Sequence, residues 1–460
     1  MSARFVNLDR HSPMLLPCDL RDWVPADHIV HFILDAVEAL PLSHFHVNHR
    51  GTGSQQYPPA MMLALLIYSY ATGRFGSRTI EAATYSDVAV RYLCANTHPD
   101  HDSICAFRTA NEAAFQAAFV SVLQLAQHLR LTRVGTVSVD GTKLQANASK
   151  HAAVSYQRAG EMIAQLELEV AQLMERAQQA QARENQETLD IPAELVRREK
   201  RVAALQEARQ VIEERARAMA AAQQPQYEAK VAARKQQRDE GKKPRGKGPP
   251  RGTPDPKAQF NFTDPQSRIM KAGSGPHFEQ AYNAQAAVDE AMLIVGQRVS
   301  DAPNDKQELA ATVAAISPMV APEVEAVLAD SGFYSEAAVR AVEQNPDGTN
   351  TGRKVYAAVE KQSHHKSVAD LLPQPEPAAP GPQASAQEVM AHRLRTTAGK
   401  TLYRLRKQTV EPVFGIIKAV MGFRQFLLRG RAKVELEWTL VCVSYNLKRM
   451  FRLKNQMTTG

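Results

Sequence analysis

The stretch VGTVSVDGTKLQANAS, from Val134 to Ser149, decides how the chain reads. Val137 and Val139 alternate with Thr136, Ser138 and Asp140, the period-two pattern of a strand with one apolar face. Asp140-Gly141 reads as a turn, with a second short strand beyond it. Upstream the pattern is helical, and well downstream strand and helix patterns alternate. The chain therefore reads as a mixed α/β domain, preceded by a helical part and interrupted by an insertion. A length of 460 residues leaves room for two or three domains.

Upstream, to about residue 130, HIVHFILDAVEAL carries apolar residues at helical spacing, and Pro58-Pro59 starts a helix over AMMLALLIYSYATG. Gly73 and Gly76 break the chain. Helices follow in SRTIEAATYSDVAVRYL, with Ser77 as a candidate N-cap, and in DSICAFRTANEAAFQAAFVSVLQLAQHL, with Asp102 or Ser103. Such a cluster can build a helix-turn-helix that offers Arg74, Arg78, Arg91 and Arg108 to phosphates or base edges. An ordinary bundle with surface arginines has the same pattern.

Downstream, Ala159 to Arg217 is rich in Ala, Glu, Gln and Arg. Ile163, Leu166, Val170 and Leu173 repeat with the spacing of a coiled-coil seam. DIPAEL, with Pro192 early in a new helix, marks the corner of a helical hairpin whose return arm carries Leu195, Val202, Leu205 and Ile212. This insertion, residues 159–235, has a structural reading. Residues 236–257 contain the basic, Pro- and Gly-rich KKPRGKGPPRGTPDPK and read as a flexible linker. Then AYNAQAAVDEAMLIVGQRVS reads as strand, DKQELAATVAAI as helix, EVEAVLAD as strand, SEAAVRAVEQ as helix and KVYAAVE as strand. Residues 363–387, with LPQPEPAAPGPQASA, read as a disordered loop. Helices close the chain around TVEPVFGIIKAVMGF and ELEWTLVCVSYNLKRMF.

Lys and Arg number 56 against 48 Asp and Glu, a net charge of +8 that suits an anionic partner such as nucleic acid. Cys18, Cys94, Cys105 and Cys442 form no C-x-x-C pair, so neither a zinc site nor a disulfide framework is suggested, and a reducing cytoplasm suits them. The N-terminus has no apolar core of a signal peptide, and the longest apolar run, Ala60 to Tyr68, is too short to span a bilayer. His44, His46 and His49 alternate without Cys or carboxylate companions and read as a surface turn. No P-loop or dinucleotide fingerprint is present, so no nucleotide cofactor is expected.

Two acids stand in matching settings. Asp140 and Asp330 each end an apolar strand, before Gly141 and before Ser331-Gly332. A lone aspartate there is ordinarily a turn former or N-cap. Acids at the ends of separate strands can also meet at one site, because open α/β sheets bind ligands beyond their strand ends. In YRLRKQTVEPVFGIIK, Glu411 lies among Arg404, Arg406, Lys407 and Lys418. A continuous helix would set Arg404, Lys407, Glu411 and Lys418 along one face. Pro412 either kinks that helix or places its start near Glu411.

VSVDGTKLQANAS, NFTDPQSRIMK, YNAQAAVD, LADSGFYS and VEPVFGIIK together resemble the DDE transposases of the large insertion-sequence groups, most closely the IS1182-like branch of the IS4/IS5-type enzymes. YPPAMMLALLIYSYATGRFGSR and HPDHDSICAFR resemble the helical domain that precedes their catalytic domain. The resemblance implies an RNase H-like catalytic domain over residues 131–158 and 258–450, with a DNA-end-binding helical domain over residues 1–130. It implies catalytic, metal-binding acids at Asp140 on the first strand, at Asp330 after the fourth, and at Glu411 on a later helix, in E-x6-K ending at Lys418. The wider pattern Y-x2-R-x3-E-x6-K is shifted here. Tyr403 and Arg406 lie one residue too far from Glu411, and Lys407 takes the arginine's place. Two Mg2+ or Mn2+ ions are implied for phosphodiester cleavage and strand transfer, with Lys407 and Lys418 at phosphates and Arg404, Arg406, Arg78 and Arg108 as further DNA contacts. The implied partners are double-stranded DNA and a second copy of the chain, in the cytoplasm at the nucleoid; the alternative is an inactive DNA-binding derivative of a transposase.

Overall fold

The computed structural model describes residues 19–47, 55–183, 190–239, 246, 248–271, 275, 277–359, 375–381 and 383–459. Val137 and Val139 form the apolar face of strand β1 (Thr136–Gln145), and both are fully buried. The chain does not turn at Asp140-Gly141. β1 runs straight through, because Ser138 to Gln145 pair without interruption with β5 (Phe278–Val288). Gly141 is there for space. A Cβ at this position would lie 2.2 Å from Gln285 Nε2 and 2.8 Å from both Asn283 Oδ1 and Asp305 Oδ1. Hydrogen bonds from Asn283 and Gln285 to Asp305 hold those side chains in place. Gly141→Ala is therefore expected to lower stability by about 1–3 kcal/mol through overpacking. A Tm equal to that of the parent would show that the cluster can withdraw.

β1 is central in its sheet. On one side lies β5, which pairs antiparallel with β4 (Arg268–Lys271) and β6 (Ile294–Ser300) along different parts of its length. On the other side β7 (Ala326–Ala329) is parallel to β1, and β8 (Lys354–Ala357) is parallel to β7. Parallel neighbours need a crossover. α10 (Glu336–Glu343) supplies it between β7 and β8, and α9 (Glu308–Ala314) lies between β6 and β7 in the chain. The alternating elements read from the sequence after residue 277 are thus present.

The helices before β1 are α1 (Ile29–Glu38), α2 (Pro59–Ala71), α3 (Ser77–Ser86), α4 (Val88–Leu93), α5 (His101–Ala110) and α6 (Glu112–His128). α2 starts with Pro59 in its first turn, as expected. The cap of α3 is Gly76 rather than Ser77, and Asp100 caps α5, accepting from the Ser103 amide at 2.6 Å. These helices share one hydrophobic core with the sheet and with α13 (Arg431–Thr459). On α13 the buried Trp438 donates to Gln285 O at 3.1 Å, and Asn446 pairs with both backbone groups of Ile294 on β6.

Arg108 is not available to DNA. It is 3% exposed, because it shares the inward face of α5 with Ile104 one turn earlier. Its guanidinium donates to Tyr70 Oη at 2.9 Å and to Phe75 O at 3.1 Å. Tyr70 donates to Glu437 Oε1 at 3.0 Å, and Glu437 accepts from the Leu427 and Leu428 amides. A buried charge needs such partners. The chain of bonds ties the N-terminal helices to α13.

The insertion is a helical hairpin, α7 (Tyr156–Arg183) and α8 (Ile191–Asp239), based on a two-stranded sheet of β2 (Ala153–Ser155) and β3 (Gln259–Asn261). Ile163, Leu205 and Ile212 of the expected seam are buried in a small separate core with Val154, Ala159, Ala208 and Phe260. α8 continues through Pro225 to Asp239, past residue 235. Of the expected linker, residues 240–245 and 247 lie outside the described residues, as do 363–374 and 382 of the expected loop. The loop's end is helical: α11 (Ala386–Arg395) begins at a capping box between Ser385 and Glu388.

Candidate active site

The parallel pairing of β1 with β7 sets Thr136 beside Ala326 and Ser138 beside Leu328. Two residues further along the same register, Asp140 stands level with Asp330, which follows the last residue of β7. Asp330 has left the strand, yet it lies close enough to Asp140 for its charge to act on that carboxyl. Asp330 Oδ1 accepts from the Gly332 amide at 2.7 Å, which turns the chain away after the acid.

Against β1 and β7 lies α12 (Thr397–Gly415), an unbroken helix that contains Pro412. The helix does not start near Glu411: it begins at Thr397 and continues through Pro412 to Gly415. It passes into a π turn, Ile416–Val420, just beyond. Three contacts seat it. Tyr403 Oη donates to Ala329 O at 3.2 Å, the Thr409 and Ser138 hydroxyls meet at 2.7 Å, and Lys418 Nζ donates to Lys143 O at 3.1 Å. Beyond Gly422, whose φ is +82°, the chain runs beside the end of β1, with bonds from Gln145 N to Arg424 O and from Phe426 N to Gln145 O.

Glu411 is thereby brought to Asp140 through a third residue. Arg406 Nη1 lies 3.3 Å from Asp140 Oδ2, and its Nη2 lies 2.9 Å from Glu411 Oε1. Arg406, not Lys407, faces the acids. Arg404 and Lys407 are exposed on α12, and Lys418 is half-buried against β1. Arg404, Lys407 and Glu411 keep the spacing of one exposed face of α12, and Lys418 lies past its end in the π turn. Arg78 is exposed on α3.

Burial pushes the Asp140 carboxyl up to about 7, against the attraction of Arg406, and the charge of Asp330 adds to the rise. Burial also lowers Lys418, with Arg424 and Lys143 adding repulsion. Positive charge from Lys418, Arg424 and Lys143 thus gathers near Asp140. Among the described residues no three His, Cys, Asp or Glu side chains stand close enough together to hold a metal ion as they are. His44 and His46 belong to no such group, and His49 lies outside the described residues.

A second cluster was not read from the sequence. Asp305 accepts from Lys143 Nζ at 3.3 Å, Asn283 Nδ2 at 2.7 Å and Gln285 Nε2 at 2.8 Å. The signal was available in AYNAQAAV, where Asn283 and Gln285 interrupt an apolar strand; buried amides need partners. The cluster braces β1 at Gly141 and Lys143, next to Asp140.

Residues 378–451, which include Glu411 and Lys418, match the family model described as Transposase DDE domain. Residues 18–110 match the model described as Transposase domain (DUF772). Searches of curated proteins and of solved structures found no match. The two family matches support an insertion-sequence transposase. No helix among the described residues is long and apolar enough to cross a membrane.

Proposed function

We propose that the chain is an insertion-sequence transposase of the IS1182-like kind, which binds the terminal inverted repeats of its element and cuts and joins DNA at Asp140, Asp330 and Glu411. The observation that carries this reading is the β1–β7 register, which sets Asp140 level with Asp330 under the helix that bears Glu411. An RNase H-like domain is supported by the order of the acids. With β4 set aside, β1, β5, β6 and β7 are the first four strands of the main sheet. Asp140 lies on the first, Asp330 follows the fourth and Glu411 is on a later helix.

Three carboxylates without His or Cys suit Mg2+ or Mn2+, which take hard oxygen ligands, and transposase DDE domains generally depend on a divalent metal. The Arg406 guanidinium, paired with Asp140 and Glu411, supports the reading that these acids take a cation. Asp140, Asp330 and Glu411 would hold the ions, which would stabilise the attacking and leaving oxygens of an in-line displacement. The chain's own part is to aim: Lys418, Arg404 and Lys407 align the phosphate backbone. Attack by water breaks a P–O3′ bond and frees a 3′-hydroxyl at the element end; that hydroxyl then attacks a target phosphodiester and displaces the target strand's own 3′ oxygen. The N-terminal helices, with Arg78 exposed, grip the ends, and a second copy of the chain brings the two ends together. No nucleotide cofactor takes part, since transesterification conserves the bond energy. The protein works in the cytoplasm, at the nucleoid.

The test incubates purified protein with Mg2+ and DNA bearing the element ends. Nicking that stops when the metal is chelated is expected; no nicking above an Asp140→Asn control would overturn the proposal. Salt-sensitive binding without cutting would instead favour the inactive derivative. Because the Asp140 carboxyl titrates near 7 and binds a cation only when ionised, cleavage at subsaturating Mg2+ should rise between about pH 6 and pH 8. A flat profile would separate that carboxyl from the reaction.

A further inference from the structure

Arg406 is placed unlike a surface arginine. Its side chain is 12% exposed, it contacts Asp140 and Glu411 at once, and its Nε is buried without a hydrogen-bond partner. The two carboxylates it joins come from elements far apart in sequence, β1 and α12. No other cation contacts both acids among the described residues. An arginine fork fits a carboxylate pair well. Yet a buried N–H without an acceptor is costly, so this residence is only partly satisfied. Lys418 makes no ion pair with either acid and donates instead to Lys143 O.

On the proposed function, we infer that Arg406 is a built-in cation that holds the acids together before metal binds and must leave for the metal to enter. Two consequences follow from the charge. A divalent ion and the guanidinium repel each other when both face the same carboxylates, so metal binding and the Arg406 contacts exclude one another. The guanidinium also ties Glu411, on α12, to Asp140, on β1, so its loss raises the ordering cost of bringing Glu411 to a ligand set while lifting the competition. Competition is the larger effect here, because Asp140 and Asp330 are positioned by the strand register and by Gly332, not by Arg406. Metal would then load best where another anion, such as a DNA phosphate, draws the arginine away. That couples assembly of the metal site to the arrival of DNA.

The test measures Mn2+ binding to the full chain without DNA, by the electron paramagnetic resonance signal of free Mn2+. Arg406→Gln is expected to bind Mn2+ about tenfold more tightly than the parent, and the gain should vanish in the Arg406→Gln, Asp140→Asn double variant. Equal or weaker binding by Arg406→Gln, or a gain that survives the second change, would overturn the inference. Should Arg406→Gln fold poorly by circular dichroism, Arg406→Met, which keeps an unbranched side chain and removes the charge, replaces it under the same criteria. The parent's nicking of end DNA in Mg2+ is scored separately. Nicking with no Mn2+ gain sinks the arginine exchange and leaves the transposase reading standing; no nicking sinks the transposase reading itself.

Discussion

Asp140→Asn is expected to lower DNA cleavage by about a thousandfold or more while leaving the fold as stable as the parent, or more so, at pH 8. The first half follows from the several kcal/mol that metal-held charge stabilisation supplies, at one tenfold per ~1.4 kcal/mol. The second half follows from the sign of the shift. The Asp140 carboxyl is raised to about 7 in the folded chain even with Arg406 beside it. A carboxyl raised above its unfolded value of about 3.9 withdraws stability as pH rises through that window, and the penalty is complete above 7. A neutral amide escapes it. Asp330→Asn should lose activity to a similar degree, and the double variant little beyond either single one, because groups that act as a unit are not additive. Nicking rates and thermal melts on the same preparations check both halves. A destabilised Asp140→Asn with proportionate loss of activity would mean that the residue is structural.

Arg108→Ala is expected to be the most damaging single change to stability outside the site, about 3 kcal/mol or more, since it strips a buried charge network of one member. Glu437 would be left with only Tyr70 and two amides. Burial already raises its carboxyl, and Leu428 N–H and Arg108 are among the groups that oppose the rise. Without Arg108 that carboxyl moves higher, so the variant should lose stability more steeply than the parent as pH rises from about 4.5. Denaturant melts at several pH values measure this. The salt dependence of DNA binding provides the contrast. Removing a cation that neutralises a phosphate lowers the slope of log K against log salt by about 0.9, whereas Arg108→Ala should leave it unchanged in whatever fraction is folded. A reduced slope would return Arg108 to the DNA surface.

Much of the architecture could be read locally. The alternation of Val137 and Val139, the strand patterns ending at Asp330, the helical repeat of Ile163 and Leu205 and the Pro59 helix start each depend on neighbours within a few residues, where period and cap chemistry act. The same locality misled at Asp140-Gly141. A DG pair is a good turn signal, but the reason for this glycine is the crowding of Asn283, Gln285 and Asp305, brought in from another strand and a loop. Arg108 failed for the same reason: its type suggests surface, while its position one turn after Ile104 on a buried face does not.

The three acids divide along this line. The sequence alone determined that Asp140 and Asp330 end apolar strands and that Glu411 lies in a basic helix-forming segment, because those properties are local. Only the tertiary structure decided that the two aspartates stand level, which is a matter of strand register. It also decided that Arg406 rather than Lys407 faces Glu411, which is a matter of how α12 is rotated by Tyr403 and Thr409 on the sheet. Register and rotation are set by contacts between distant segments. No window of the sequence contains both partners.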